Sequence, residues 1–212
     1  KFLYTFLIFR FNKVIQVFLF SCVFLIVFLQ QIYAEVIPQT NWSLAFVDSQ
    51  ELVGENGSAT NAFDGNLNTF WITEFSNNNP PLPHEIQINL GGVYDISGFR
   101  YLPRQDGVRD GRISQYEFYA STDGMNWGTP VITDTFTDND MEKEALFNQV
   151  TCQYVRLRAL SEVSDNPWTS MSEINVLGSL SVNQAPDGVI DTPGGDVTIN
   201  VGDSVNFTGT GT

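Results

Sequence analysis

The sequence predicts an all-β fold: an eight-stranded antiparallel β-sandwich of the jelly-roll type, followed by the start of a second β module. Three features of the sequence support this prediction. Apolar and polar residues alternate with a period of two in several short segments, Asp-Gly and Gly-Gly turns separate these segments, and no stretch keeps a helical period. A series of short alternating strands with regular turns is typical of sandwiches and jelly rolls.

The predicted strands lie in residues 36–179, which we interpret as one domain. In the segment 85–90, Ile86, Ile88 and Leu90 share one face, whereas the polar Gln87 and Asn89 share the other. Such alternation indicates antiparallel sheets with one face on the core and one face in solvent. The same pattern, in varying strength, predicts strands at 42–47, 85–90, 96–101, 115–121, 131–136, 144–147, 154–160 and 173–177.

The first 34 residues are predicted to be a signal peptide rather than part of the fold. Their only charges are Lys1, Arg10 and Lys13, an apolar run occupies positions 14–29, and Ala34 offers a small residue for cleavage. A signal anchor that stays in the membrane is the alternative, although the run is shorter than the ~20 residues that a spanning helix needs. We therefore expect a secreted or cell-surface protein from a bacterium.

The charge balance and the cysteine count exclude some classes of protein. All 24 acids follow the leader and three of the ten bases lie within it, so residues 35–212 carry a formal net charge of −17. Such an acidic chain is repelled by phosphate backbones and by anionic membranes, which argues against nucleic-acid binding. Cys152 is the one cysteine after the leader, so no intrachain disulfide forms, and its place in an alternating strand predicts a buried, inert thiol.

The composition changes after residue 179. Residues 180–186 are predicted to be a linker. Residues 187–212 are rich in Pro, Gly, Asp and Thr, with Phe207 their one aromatic residue, and predict strands at 196–201 and 204–208. This stretch resembles the opening of the Ig-like repeats (PKD or cadherin-like) of bacterial surface proteins.

Two distant segments suggest a cation site. In "SATNAFDGNLNTFW" (58–71), Asp64 opens a tight turn and Thr69 follows with a hydroxyl, while Glu173 in "WTSMSEINVLG" (168–178) offers a second carboxylate. Calcium accepts such mixed oxygen ligands, and one ion would join both ends of a domain that lacks disulfides. The alternative is a plain Asx-turn capped by Thr69.

These motifs, taken in order, resemble a known family. The segments "VDSQELVGENGSATNAFDGNLNTFW", "PLPHEIQINLGG", "YLPRQDGVRDGRISQYEFYASTDGMNWG", "YVRLRAL" and "PWTSMSEINVLG" span residues 47–178. Together they resemble the discoidin or F5/8 type C domain, equivalently the family 32 carbohydrate-binding module. The resemblance is strongest to the galactose-binding domains of galactose oxidase and of bacterial sialidases. It implies an eight-stranded jelly roll with a structural Ca²⁺ and no catalytic site of its own.

The resemblance also implies two sets of binding residues. The cation would be held by backbone carbonyls and by the side chains of Asp64, Thr69 and Glu173; the full set is Asn61, Asp64, Asn66, Thr69, Ser172 and Glu173. The sugar would lie on loops at one end of the sandwich, against Glu55, Ile72, Phe75, Arg104, Asp110 and Trp168. Galactose binders carry a histidine where this chain has Ile72, and some have a glutamate where it has Asp110.

The chemistry of the sugar set agrees with this role, although several residues have another reading. A carboxylate only accepts hydrogen bonds and a guanidinium only donates them, so Asp110 and Arg104 can together recognise the directions of neighbouring hydroxyl groups. Aromatic rings can pack against the C–H face of a pyranose. Phe75 is nearly as plausible as a core residue, and Glu55 as a solvated charge. Arg109 and Arg112 are interpreted as solvated or as local partners of Asp106, and His84 is interpreted as a structural residue.

Three functions follow from this reading. The first is a non-catalytic module that binds a galactose-type glycan, attached to further domains of the same polypeptide beyond Thr212. The alternative is an adhesion module for a membrane lipid or a protein, but the loop 73–84 offers Phe75 and Leu82 without a larger apolar cluster. An enzyme is disfavoured because His84 is the one histidine and no nucleophile elbow accompanies it.

Overall fold

The computed structural model describes residues 35–181, 189–192, 197–198, 201, 204–206 and 208–210. The predicted signal peptide (1–34) and most of the predicted linker (180–186) lie outside the described residues and stay predictions. Within this described part the helices are two short 3₁₀ segments, Gln39–Asn41 and Ala59–Phe63, and none has the length and apolar character of a membrane span.

Eight strands build the domain of residues 35–181, the predicted number, although they are not the eight predicted strands. They are β1 (Ser43–Val47), β2 (Trp71–Ile72), β3 (His84–Leu102), β4 (Gln115–Ser121), β5 (Ile132–Thr135), β6 (Lys143–Ala159), β7 (Ser170–Met171) and β8 (Glu173–Leu180). Every pairing among them is antiparallel. The all-β, antiparallel prediction is therefore confirmed.

The two long strands, β3 and β6, contribute to both layers of the sandwich. The beginning of β3 pairs with the end of β6, with strands in the order β1-β3-β6-β4-β5. The rest of β3, from Tyr94 onwards, pairs with the beginning of β6 and also with β8. Phe99 from this second half stacks on Phe118 of β4, with ring centroids 4.1 Å apart, so the two halves face each other across the core.

The sequence prediction divided β3 and β6 wrongly. It placed separate strands at 85–90 and 96–101, and again at 144–147 and 154–160, whereas each pair is one continuous strand. Gly91 has φ 75° and the register shifts between Asn89 and Tyr94, so Gly91-Gly92 forms an irregularity within β3 rather than a turn. A Cβ at Gly91 would lie 2.4 Å from the carbonyl oxygen of Asn41, which explains why glycine is needed there.

The core confirms the predicted alternation. Ile86, Ile88 and Leu90 are fully buried, and every member of the main apolar cluster lies between Ile37 and Val176. Burying each such side chain stabilises the fold by about 1.5–3 kcal/mol, so this domain has a core of its own.

Cys152 is buried within β6, as predicted. Burial raises the pKa of its thiol to about 12, so the thiol stays protonated and unreactive near neutral pH.

The described part of the C-terminal segment contains two paired strands, β9 (Val189–Thr192) and β10 (Thr208–Thr210). Among the described residues of the predicted strands at 196–201 and 204–208, Thr208 lies in β10, whereas 197–198, 201 and 204–206 are not in strands, so the predictions are wrong at those positions. The β-branched pair Val189-Ile190 favours a strand that stops before Pro193. The Ig-like assignment of residues 187–212 stays a prediction.

Candidate functional site

Four separate segments of the chain meet in a cleft of about 210 Å³. The cleft is lined by side chains from the loops near 55, 75, 104–110 and 168, and by one residue of β2. They are Glu55, Ile72, Phe75, Arg104, Val108, Asp110 and Trp168. All six residues that the resemblance assigned to a sugar site therefore line one cleft, and Val108 joins them.

Arg104 is held rigidly at the wall of this cleft. Its Nε and Nη2 donate to the two carboxylate oxygens of Asp106 at 2.9 and 2.6 Å, and its guanidinium lies 4.0 Å above the ring centroid of Phe70. The hydrogen bond from Arg104 holds the pKa of Asp106 below its usual range. Two of the five N–H donors are thus engaged by Asp106, which leaves Nη1 and the second N–H of Nη2 for a ligand.

The loop at 104–112, called the charged loop because it carries three arginines and two aspartates, is docked against β7 at Asp110 and Gly111. The Ser170 hydroxyl donates to the Asp110 carbonyl at 2.7 Å, and the Ser170 amide donates to the Gly111 carbonyl at 2.7 Å. Gly111 has φ 80°, and a Cβ there would lie 2.6 Å from the Ser170 nitrogen. This close approach places the exposed Asp110 carboxylate, an acceptor, in the same cleft as the Arg104 donors.

Two aromatic side chains border the cleft. Phe75 is 40% exposed, so it is not a core residue, which was the alternative interpretation. Trp168 is half-buried and its Nε1 donates to the Asn79 side-chain oxygen at 2.6 Å, so the orientation of its ring is fixed. Ile72 is buried at the position where galactose binders carry a histidine. The cleft thus combines a donor, an acceptor and apolar faces.

Glu51 organises two of the cleft loops, a role that the sequence does not reveal. Its buried carboxylate accepts hydrogen bonds from four backbone amides: those of Val53, Gly54, Phe75 and Ser76, at 2.7–2.9 Å. The Phe75 amide makes the largest contribution and, with the other amides, outweighs burial to lower the pKa of Glu51 to about 2. The loop that carries Glu55 is therefore tied to the loop that carries Phe75.

His84 holds in place the segment that precedes Trp168, which agrees with the structural role expected of it. The ring is fully buried, with Nδ1 2.6 Å from an Asp48 carboxylate oxygen and Nε2 2.8 Å from the Pro167 carbonyl oxygen. Burial lowers the pKa of His84, but hydrogen bonding and the charge of Asp48 outweigh it and the net pKa is raised. The imidazolium can donate at both nitrogens, which fixes the carbonyl that precedes Trp168.

The other arginines of the loop have a partner that the sequence analysis did not identify. Arg112 Nη1 donates to Asp138 at 2.7 Å, and Arg109 also pairs with Asp138. The expectation that they pair with Asp106 is therefore wrong, because Asp106 is engaged by Arg104. Asp138 is remote in sequence and lies between β5 and β6.

The second candidate site lies where the loop after Ala59–Phe63 meets β8. Asp64 accepts from the Asn66 amide and from the Thr69 hydroxyl, both at 2.8 Å, which is the hydrogen bonding that an Asx-turn predicts. The turn alone does not account for two buried oxygens on β8 and beside it. Oε1 of Glu173 and Oγ of Ser172 are buried without a hydrogen-bond partner.

This arrangement fits a calcium ion. The pKa of Glu173 is raised, first by burial and also by the negative charge of Asp64, so the site lacks positive charge. Oε2 of Glu173 accepts a hydrogen bond from Nε2 of Gln39 at 3.1 Å, but the other oxygen, Oε1, has no partner. Burying an unpartnered carboxylate oxygen is costly, and a cation beside it would offset that cost. Within the described residues no three acidic, histidine or cysteine side chains converge, so the ligands would be two carboxylates with neutral oxygens, a set that suits Ca²⁺.

Comparison with known proteins identifies the family. The model of the F5/8 type C domain matches residues 46–174. The chain belongs to the F5/8 type C domain family. It is 38% identical over 144 residues to a sialidase of Micromonospora viridifaciens and 35% identical over 154 residues to a galactose oxidase of Gibberella zeae, matches that cover 68% and 72% of this chain. The chain spans 22% of the length of each of these relatives.

A solved relative defines the kind of domain. A family 32 carbohydrate-binding module from Clostridium perfringens, in complex with GalNAc-β-1,3-galactose, matches at 35% identity with a TM-score of 0.62. The match covers 68% of this chain and 99% of that one, so a single F5/8 type C domain is a folded unit. The domain at 35–181 is accordingly a carbohydrate-binding type of module and not a catalytic domain.

Proposed function

We propose that the domain binds glycans that present a galactose-type residue, through the cleft between Phe75 and Trp168. One observation carries this proposal: the cleft brings the donor Arg104 and the acceptor Asp110 together with two aromatic side chains. Vicinal hydroxyls of a pyranose need a donor and an acceptor on one side and an apolar surface for the C–H groups. The disaccharide bound by the Clostridium perfringens relative supports the same choice.

The charges of the cleft favour a neutral sugar with well-defined hydroxyl directions. Charge-assisted hydrogen bonds are roughly twice as strong as neutral ones, and the Asp106 pair prevents Arg104 from swinging away. Ile72 and Val108 offer no polar group, so selectivity for one hydroxyl epimer depends on the charged side chains of the cleft, Arg104, Asp110 and Glu55. We expect a broader preference among galactose-type residues than a histidine at position 72 would give.

Calcium has a structural role in this proposal. The ion would bind Asp64 and Glu173 together with oxygens of Asn61, Asn66, Thr69 and Ser172, joining the loop at 61–69 to β8. When bound it supplies positive charge that pairs the two carboxylates, and it adds its binding energy to the stability of the folded state. The same loop leads into β2, which carries Ile72, so the ion would also stiffen one wall of the cleft.

The proposal extends to the setting of the domain. The predicted signal peptide and the enzymes among the relatives favour an accessory module of a secreted or cell-surface protein. In that role the domain would hold a neighbouring catalytic or adhesive domain against a galactose-containing glycan.

Calorimetric titration of residues 35–181 with galactose and lactose, in calcium, tests the proposal. Arg104→Ala and Trp168→Ala should abolish measurable binding while the protein remains folded. Two matched controls lie outside the cleft: Arg100→Ala, whose guanidinium pairs with Glu144, and Trp127→Ala, whose ring stacks with Arg156. The controls should bind as the wild type does. Absence of heat with every galactose-type sugar, or equal loss in all four variants, would reject the proposal.

A second candidate is adhesion to a lipid surface, which one observation favours. Leu52 and Val53 are 60% and 69% exposed in the loop that Glu51 ties to Phe75, so the apolar surface near the cleft is larger than the sequence suggested. Sedimentation with neutral phosphatidylcholine vesicles tests this candidate. Binding that disappears in a Leu52→Ser/Val53→Ser variant but survives Arg104→Ala would favour lipid over sugar.

A further inference from the structure

A second cleft, of about 610 Å³, lies beside the proposed sugar cleft. Its walls are the segment at 47–50, which begins at the last residue of β1, and the loop at 74–80. This loop is shared between the two clefts, because Phe75 lines the first cleft while Glu74, Asn78 and Asn79 line the second. The second cleft therefore begins where the aromatic border of the first one ends.

Hydrogen bonds connect the two clefts directly. Asn79 lines the second cleft, and its side-chain oxygen accepts from Nε1 of Trp168 in the first. Asp48, also in the second cleft, binds His84, whose other ring nitrogen meets the carbonyl that precedes Trp168. A ligand that leaves the first cleft past Trp168 thus meets the wall of the second.

The second cleft offers both donors and acceptors that the fold leaves available. The Gln50 side-chain oxygen accepts from the Ala59 amide, so its NH₂ group remains. The Asn79 oxygen is taken by Trp168, so its NH₂ group remains as well. Among the described residues, the side-chain NH₂ group of Asn78 donates to the Glu74 carboxylate, at 3.4 Å to each oxygen. These bonds are long and therefore weak, so the Asn78 NH₂ group and the Glu74 carboxylate can both bond to a ligand instead.

The lining also limits the charge of the occupant. Glu74 contributes negative charge, Asp48 is paired with His84, and no lysine or arginine lines the second cleft. Anionic sugars such as sialic or uronic acids would be repelled. Amides and carboxylates without an aromatic platform suit a neutral, hydroxyl-rich group that is held by hydrogen bonds.

We propose that the second cleft is a subsite for the sugar residue next to the one in the first cleft, so that the domain recognises a neutral oligosaccharide. This inference rests on the proposed function of the first cleft. Hydrogen bonds from Gln50 and Asn78 and to Glu74 raise affinity for a suitable disaccharide about tenfold over galactose, the effect of one to two net hydrogen bonds.

Comparison of mono- and disaccharides tests the subsite. The domain is titrated by calorimetry with galactose, lactose and GalNAc-β-1,3-galactose, which place the neighbouring residue on different sides of galactose. We expect at least one disaccharide to bind about tenfold more tightly than galactose. Glu74→Gln and Asn78→Ala should remove that gain and leave the Kd for galactose unchanged.

A spectroscopic measurement locates the contact. In ¹⁵N-labelled protein, the side-chain NH₂ resonances of Gln50 and Asn78 should shift with the tighter disaccharide and not with galactose. The inference is overturned if galactose binds and neither disaccharide binds more tightly, or if both variants weaken galactose and disaccharide equally. If neither galactose nor a disaccharide binds, the proposed function itself fails and the subsite fails with it.

Discussion

Replacement of Gly111 by alanine tests how the charged loop is positioned against β7. Gly111 and Gly107 lie in the same loop with nearly equal backbone angles, φ 80° and φ 84°. They differ in their surroundings. A Cβ at Gly111 would lie 2.6 Å from the Ser170 nitrogen and 2.8 Å from the Thr169 carbonyl carbon, whereas a Cβ at Gly107 would meet nothing within 4 Å. Gly107→Ala is therefore a matched control for the backbone angle alone.

The difference between the two variants follows from these contacts. Positive φ costs about 1–2 kcal/mol in either variant, and the lower entropy of the unfolded chain returns about 0.4–1 kcal/mol in both. Gly111→Ala additionally forces a backbone shift, about 1–3 kcal/mol, and weakens the Ser170 N–H bond to its carbonyl, about 0.5–1.5 kcal/mol. We expect Gly111→Ala to be less stable than Gly107→Ala by roughly 2–4 kcal/mol.

Urea unfolding of the domain in saturating calcium measures this difference as a change in midpoint at constant slope. Gly111→Ala should also weaken galactose binding, because Asp110 moves with the loop, whereas Gly107→Ala should not. Equal destabilisation of the two variants would show that the contact with Ser170 does not position the loop.

Three further predictions concern charge. EDTA should lower the melting temperature of the wild type, and Glu173→Gln should largely remove this sensitivity; an unchanged melting temperature in EDTA would reject the calcium site. Glu51 has a folded pKa of about 2, below the ~4.3 of an unfolded glutamate, so its contribution to stability is present above pH ~4.3 and is lost as the pH falls towards 2. Urea midpoints measured from pH 3 to 7 should therefore fall less steeply in Glu51→Gln, and parallel profiles would contradict this. The pH dependence from His84 has the opposite sign, because its pKa is raised in the folded state: the contribution is fully present below the unfolded value of ~6.5 and is lost as the pH rises through the folded pKa. Urea midpoints measured from about pH 6 to 9 should therefore fall less steeply in His84→Gln than in the wild type, and parallel profiles would contradict this.

The sequence predicted the fold class because burial on one side of a sheet imposes alternation on the sequence itself. The strand at Gln115–Ser121 was predicted with the bounds that it has, since Tyr116 and Phe118 alternate with polar residues and turn residues follow Ser121. At Gly91-Gly92 the same reasoning failed. A pair of glycines usually marks a turn, and only the contact with Asn41 and the pairing with β6 and β8 make it a bulge in a continuous strand.

The candidate site, too, was predicted in part and missed in part. The resemblance to the F5/8 type C family assigned six residues that line one cleft, because whole motifs were preserved in order. It did not indicate Val108, whose side chain reaches the cleft only through the course of its loop. The two-residue strands β2 and β7 also escaped prediction, since a pair of residues is too short to show a period.

By itself the sequence determined that this chain forms a disulfide-free antiparallel sandwich, acidic, with candidate residues for a sugar and a cation. The tertiary structure decided which charges serve which purpose. Arg104 pairs with Asp106, Arg112 pairs with Asp138, and Glu51 holds four amides inside the protein. Asp138 is distant in sequence from Arg112, and the Phe75 and Ser76 amides are distant from Glu51, so a local pattern of residues carries no record of the packing that joins them. The Arg104–Asp106 pair is local, but only the packing shows that Asp106 bonds to Arg104 and not to Arg109 or Arg112.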